Sequence, residues 1–154
     1  MAFLGLVKFP SEGEKHTEMA RPGKSMLDMI GNTPLVELKN ISPNPKVQIL
    51  AKLEGQNPTG SVKDRIAKYM IQNAEEEKLL VAGKTIFEPT SGNTGISLAL
   101  VGKLKGYKVK VVMPNNVSPE RTALLKAYGA EVVFSDGKKG TNGAIVVAQE
   151  IAAK

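Results

Sequence analysis

Apolar and polar positions change rhythm along this chain in a regular way. Residues 1–25, with Pro10, Pro22 and mixed charges, sustain no period and read as a poorly ordered leader. Leu27, Met29 and Ile30 then precede Gly31-Asn32-Thr33-Pro34, a turn signal, and a short strand-like run at 35–38. Val47, Ile49, Ala51 and Leu53 alternate as a strand does. After a loop at 55–60, Val62, Ile66, Tyr69, Met70 and Ala74 fall at helical spacing. Residues 85–88 read as a buried strand, and Ile96, Leu98, Leu100, Val101 and Leu104 as a helix behind a Gly-rich loop. The β-branched run at 109–113 predicts the next strand. Ser118-Pro119 supplies an N-cap and a first-turn proline for a helix ending at Tyr128, before Gly129. A fourth strand at 131–134 and a helix at 142–153, with Ile145, Ala148 and Ile151 inward, complete the series.

Strand and helix alternating four times predict an α/β fold: an open, doubly wound, mainly parallel sheet with helices on its faces. The organisation expected is a leader at 1–25, an N-terminal segment at 26–45 and a small α/β domain at 46–154. Ligands of such sheets sit outside the carboxyl ends of the strands, where the strand-to-helix loops gather.

Composition narrows the chemistry. Of 154 residues, 42% are hydrophobic and 23% charged, enough for one sizeable core. Without cysteine, disulfides, thiolate metal sites and Cys nucleophiles are excluded. The one histidine, His16, sits in the polar leader, so neither zinc nor a Ser-His-Asp triad is expected, and no metal is assigned. The net charge is +6, but the lysines are scattered, and aromatics at 5% form no stacking platform. A solvated surface is therefore expected rather than a nucleic-acid partner. No apolar run approaches the roughly 18 to 20 residues of a membrane span. The apolar stretch 2–7 lacks the basic flank of a signal peptide. Asn40 and Asn116 match the glycosylation pattern, which carries no meaning without secretion. A cytoplasmic protein without membrane attachment is expected.

Two loops carry candidate chemistry. The first is Asn57-Pro58-Thr59-Gly60-Ser61-Val62-Lys63-Asp64-Arg65. Ser61 is placed to cap a helix, with Asp64 completing a capping box, so Lys63 falls in the first helical turn. A lysine beside the positive end of a helix dipole is electrostatically odd and suits a nucleophilic amine. A plain surface lysine beside Asp64 and Arg65 is the other reading of this loop. The second loop is Glu88-Pro89-Thr90-Ser91-Gly92-Asn93-Thr94-Gly95, between a strand and a helix. Its helix-start N–H groups, three hydroxyls, one amide and two glycines suit an anion. An ordinary N-cap needs only one of these polar residues.

Nucleotide motifs do not compete. Gly83-Lys84-Thr85 resembles a P-loop end, but Lys78 stands where glycine is required, and a strand follows instead of a helix. No G-x-G-x-x-G occurs.

Ile30-Gly31-Asn32-Thr33-Pro34-Leu35 and the two loops, in this order and spacing, resemble the cysteine synthase (O-acetylserine or O-phosphoserine sulfhydrylase) branch of the fold-type II pyridoxal-phosphate enzymes. Met113-Pro114, Ser118 to Arg121 and Tyr128-Gly129-Ala130-Glu131 strengthen the likeness, which runs from Met26 to Lys154. The resemblance implies pyridoxal 5'-phosphate bound covalently by Lys63, with Asn93 on its ring hydroxyl. It implies that Thr90, Ser91, Gly92 and Thr94 hold the carboxylate of an amino-acid substrate. The implied reaction is β-replacement, in which a sulfur donor takes the place of the leaving group of an activated serine and L-cysteine forms. Lys63, freed by the substrate, takes the α-proton. Cystathionine β-synthase resembles the chain in both loops, and a non-catalytic module is the reading from outside the enzymes.

Relatives of this kind continue with a second half bearing a glycine-rich phosphate loop, against which the 26–45 segment would pack, and form homodimers at full length. The 154 residues alone are expected to bind the cofactor poorly, to self-associate and to sustain no cysteine synthesis. Residues 137–143, with three glycines and two lysines before a helix, are the one internal candidate for a substitute anion site.

Overall fold

The computed structural model describes residues 25–153. The leader read at 1–25, with His16, lies outside the described residues apart from Ser25.

After a 3-10 turn at Met26–Met29 come two short strands, β1 (Leu35–Glu37) and β2 (Leu50–Lys52), and a 3-10 turn at Glu54–Gln56. The regular part follows as α1 (Lys63–Glu76), β3 (Thr85–Pro89), α2 (Asn93–Leu104), β4 (Lys108–Pro114), α3 (Pro119–Ala127), β5 (Glu131–Ser135), a 3-10 turn at Gly137–Lys139 and α4 (Gly140–Ala152). β3, β4 and β5 form a parallel sheet in that order, Thr85 pairing with Lys108 and Lys110 with Glu131.

Alternation along β4 sends its side chains to two cores. Val109, Val111 and Met113 meet Ile96 and Ala99 of α2 and Leu125 of α3. Val112 meets Ala144 and Ala148 of α4 on the other face. Helices thus cover both faces, as a doubly wound sheet requires, and β4 is apolar on both sides because neither meets water.

α2 is the central helix, buried without a break from Gly95 to Gly102. Its two glycines let it lie close on the sheet. A Cβ at Gly95 would fall 2.8 Å from Thr90 Cγ2, and one at Gly102 2.5 Å from Val109 Cγ2. On its far side lies α1, where Ala67 and Ile71 pack on Leu98 and Val101, joined by Ile30 from the N-terminal segment.

Two expected facings differ: residues 85–88 are half-buried at the sheet edge, and Ile145 of α4 is exposed while Ala144 and Ala148 face the sheet. One expected pairing fails. The alternation at 47–53 predicted a fourth strand of the parallel sheet. Only residues 50–52 form a ladder, and they pair antiparallel with β1 in a separate two-stranded sheet. A strand inside a parallel sheet is apolar on both faces. Here Leu50 is 49% exposed and Lys52 is also exposed, its ammonium donating to the Thr33 carbonyl. Such a segment finds its partner in the nearest extended chain. The other boundaries agree within three residues, the widest gap being at α2, which takes in Asn93 to Gly95 of the expected loop.

Candidate functional site

α1 and α2 run side by side in the same direction. Near their starts Ser97 Oγ donates to Asp64 Oδ1 at 2.6 Å; near their ends Lys105 pairs with Glu75. Their N-termini therefore share one end of the molecule, where β3 delivers the chain into residues 90–92. Two positive dipole ends and two sets of helix-start N–H groups face the same region.

Lys63 is the first residue of α1 and half-buried. The turn before it is fixed from several sides. Asn57 is buried, accepts from Gly31 N at 2.9 Å and donates to the Glu54 carbonyl at 2.8 Å. Arg65 grips Glu54 with two bonds, Nε to Oε2 at 2.7 Å and Nη2 to Oε1 at 2.9 Å, while Thr33 Oγ1 donates to Glu54 Oε1. The Arg65 guanidinium first, then the Thr33 hydroxyl, hold the Glu54 carboxyl down at about 2. The 31–34 turn is thus tied to the loop that carries Lys63.

The capping box expected here does not form. The N-cap position belongs to Val62, and Ser61 Oγ accepts from Lys63 N at 3.1 Å. Asp64 turns inward instead, wholly buried, accepting from Thr59 N at 2.8 Å, from Thr59 Oγ1 and from Ser97 Oγ. A carboxyl at that depth is tolerable only with such partners, and the interior of α2 supplies one that a surface cap could not.

The second loop is built differently. Gly92 is the N-cap of α2, so no side chain closes its first turn, and Asn93 begins the helix with its side chain exposed. Thr90 Oγ1 accepts from Gly92 N at 3.2 Å. Arg121, from the first turn of α3, donates from Nη1 to the Ser91 carbonyl at 3.0 Å and fixes the loop from outside. Among the described residues, no hydrogen bond engages the Ser91 hydroxyl, the Thr94 hydroxyl or the Asn93 amide, which leaves these groups for a ligand. Glu88, at the entry to the loop, has its carboxyl pushed up by burial.

The fold thus brings the two sequence-predicted loops to one end of the molecule. It adds Thr59, Asp64, Ser97 and Arg121, which sequence reasoning did not assign to the site. Ser97 carried no signal, being one hydroxyl in an apolar helix. Asp64 carried a misleading one, since an acidic residue three after a serine reads as a cap. Residues 137–143 form a 3-10 turn and the start of α4; Gly137 N donates to Asn115 Oδ1 at 3.0 Å. The space beside Gly143 is occupied by Lys139, whose Cβ lies 2.6 Å from where a Cβ would stand.

One end of the molecule thus holds an unblocked helix start at Gly92, hydroxyls and an amide without partners among the described residues, and the half-buried Lys63. The chain belongs to the pyridoxal-phosphate dependent enzyme family, whose model matches residues 26–154. It is 50% identical over 131 residues to a cysteine synthase of Staphylococcus aureus, covering 85% of this chain and 42% of that protein. It is 52% identical over 129 residues to a cysteine synthase of a Flavobacterium species, covering 84% and 42%. The fold matches O-acetylserine sulfhydrylase isoform 3 of Entamoeba histolytica with a TM-score of 0.82 at 44% identity, over 90% of this chain and 42% of that one. A hydrogen sulfide-producing enzyme of Fusobacterium nucleatum matches at 0.80 and 45%, over 88% and 44%. The chain thus spans less than half the length of the curated relatives it matches. Among the described residues, no helix is long and apolar enough to cross a membrane.

The groups are of the kind the family's cofactor needs: the Lys63 amine at the start of α1, the exposed Asn93 amide and the uncapped turn at Gly92 at the start of α2.

Proposed function

We propose that the protein to which this chain belongs makes L-cysteine by β-replacement, exchanging the leaving group of an activated serine (O-acetylserine or O-phosphoserine) for sulfide. The observation that carries the reading is that Lys63, at the start of α1, lies at the same end of the molecule as the Ser91, Asn93 and Thr94 groups before and in the first turn of α2, which no hydrogen bond engages among the described residues. Half-identity to cysteine synthases across both loops supports it.

When bound, pyridoxal phosphate supplies an electron sink for the substrate α-carbon. Lys63 Nζ would hold it and, with the substrate in place, would take the α-proton. Thr90, Ser91, Gly92 and Thr94 receive the substrate carboxylate and fix which bond at the α-carbon faces Lys63. Asn93 would hold the cofactor through its ring hydroxyl. The reading carries with it a cytoplasmic homodimer and a second domain packed on the 26–45 segment. Exposed Met29, Leu35, Val36 and Ile41 on that segment support such a contact.

Borohydride reduction of the protein with pyridoxal phosphate, followed by peptide mapping, is expected to mark Lys63. Lys63→Ala is expected to abolish cysteine formation from O-acetylserine or O-phosphoserine and sulfide. A mark on another lysine refutes the assignment. Homocysteine offered in place of sulfide is the control that separates this reaction from cystathionine formation.

A further inference from the structure

We infer that Asp64 is the positioning residue that sets the Lys63 amine relative to the Asn93 turn, acting through Ser97. The inference rests on the reading of Lys63 given above and adds to it the device that holds the amine in place.

Asp64 is wholly buried, and its carboxyl is used completely by Thr59 and Ser97. Its backbone continues directly from Lys63. Ser97, also wholly buried, lies one helical turn beyond Asn93. A single bond of 2.6 Å therefore links the turn that carries the amine to the turn that carries the amide. Thr59 closes the group, its hydroxyl lying 3.4 Å from Ser97 Oγ.

Stability alone does not account for such a group. Ala67 and Ile71 already bury α1 against Leu98 and Val101. Replacing a buried polar contact by apolar packing is often neutral or favourable. Apolar packing holds the two helices together over a broad face; a hydroxyl seated on a carboxyl oxygen adds one fixed point next to Lys63. Glu75 joins Lys105 and Tyr107 at the far ends of the helices and fixes their separation there, away from the loops. The clamp that matters to the amine is the one adjoining it.

The test uses the protein as its gene encodes it, with pyridoxal phosphate as the probe. Three readouts are taken: the rate at which the absorbance band of lysine-bound cofactor grows, the borohydride label and the melting temperature. Asp64→Ala is expected to slow capture about tenfold at temperatures well below its own melting, because small misplacements of reacting groups are costly. Asp64→Asn keeps every contact, since its amide can donate to both hydroxyls while its oxygen accepts Thr59 N–H, and is expected to restore most of the rate. Ser97→Ala is expected to slow capture less than Asp64→Ala, and the double variant to be no slower than Asp64→Ala, as for two halves of one link. If Asp64→Ala does not fold, Ser97→Ala and Asp64→Asn decide.

Normal capture by folded Ser97→Ala and Asp64→Ala, with only melting lowered, overturns the inference and leaves a structural clamp. Asp64→Asn as slow as Asp64→Ala overturns it as well, because charge rather than placement would then be at work. A wild-type label away from Lys63 refutes the proposed function itself, a result distinct from both.

Discussion

The two loops that meet at the site are built on opposite plans. In residues 57–65, Asn57, Thr59, Ser61, Asp64 and Arg65 spend their side chains on neighbouring protein groups. In residues 90–95, held by one hydroxyl and by Arg121 from outside, Ser91, Asn93 and Thr94 keep theirs unspent among the described residues. The first plan suits a loop whose product is the position of one amine. The second suits a loop that must bind something, since a group already satisfied has nothing to offer a carboxylate. Polar density alone, high in both, does not tell scaffold from receptor; where the hydrogen bonds go does.

Substitutions can break or sharpen this contrast. The largest effect is expected on ligand binding in the second loop. Under the proposed function, Ser91→Ala and Thr94→Ala would each remove a hydrogen bond to the substrate carboxylate, about 1.5 to 3 kcal/mol, so amino-acid affinity should fall at least about tenfold. Melting should stay where it was, and titration of the amino acid against cofactor absorbance checks both. Unchanged affinity in both variants would remove the receptor half of the contrast.

The mirror image is expected at Asn57. Asn57→Ala leaves Gly31 N–H without its acceptor and removes the amide's two donations to Glu54, whose carbonyl keeps only the backbone N–H of residue 57, and should lower stability by about 1 to 3 kcal/mol. Denaturant unfolding measures this, and amino-acid affinity should change far less than in the hydroxyl variants.

The smallest effect is a pH dependence. Glu54 titrates at about 2 in the folded chain against an ordinary 4.5. A depressed carboxyl contributes stability that is present above its unfolded pKa and lost as pH falls through the folded one. Acid should therefore loosen the 31–34 turn between about 4.5 and 2. Glu54→Gln should flatten stability across that window, with the same variant indistinguishable in slope from wild type at pH 6 to 8.

Most of the architecture was legible because the parallel strands are β-branched runs between glycines and the helices keep their period. Even α2, apolar on every side, could be read as a buried helix. What could not be read were pairings decided by distant chain. The exposed residues of β1 and β2 do not encode which sheet they join, so the alternation at 47–53 suggested the wrong one. Whether Asp64 would cap its own helix or enter the interior depended on Ser97, 33 positions away. The loops announced their chemistry in residue types, but the division of labour between them exists only in three dimensions.

The ladder joining Thr85 to Lys108 and the ladder joining Lys110 to Glu131 connect strands that are consecutive in the chain. During synthesis, consecutive pairing lets each strand dock as it leaves the ribosome, with one helical crossover to close. Nothing in the clamp at Asp64 lies beyond Ser97. Once α2 has settled on β3 and β4, every partner of the Asp64 carboxyl is in place, so the clamp can close before β5 and α4 have left the ribosome.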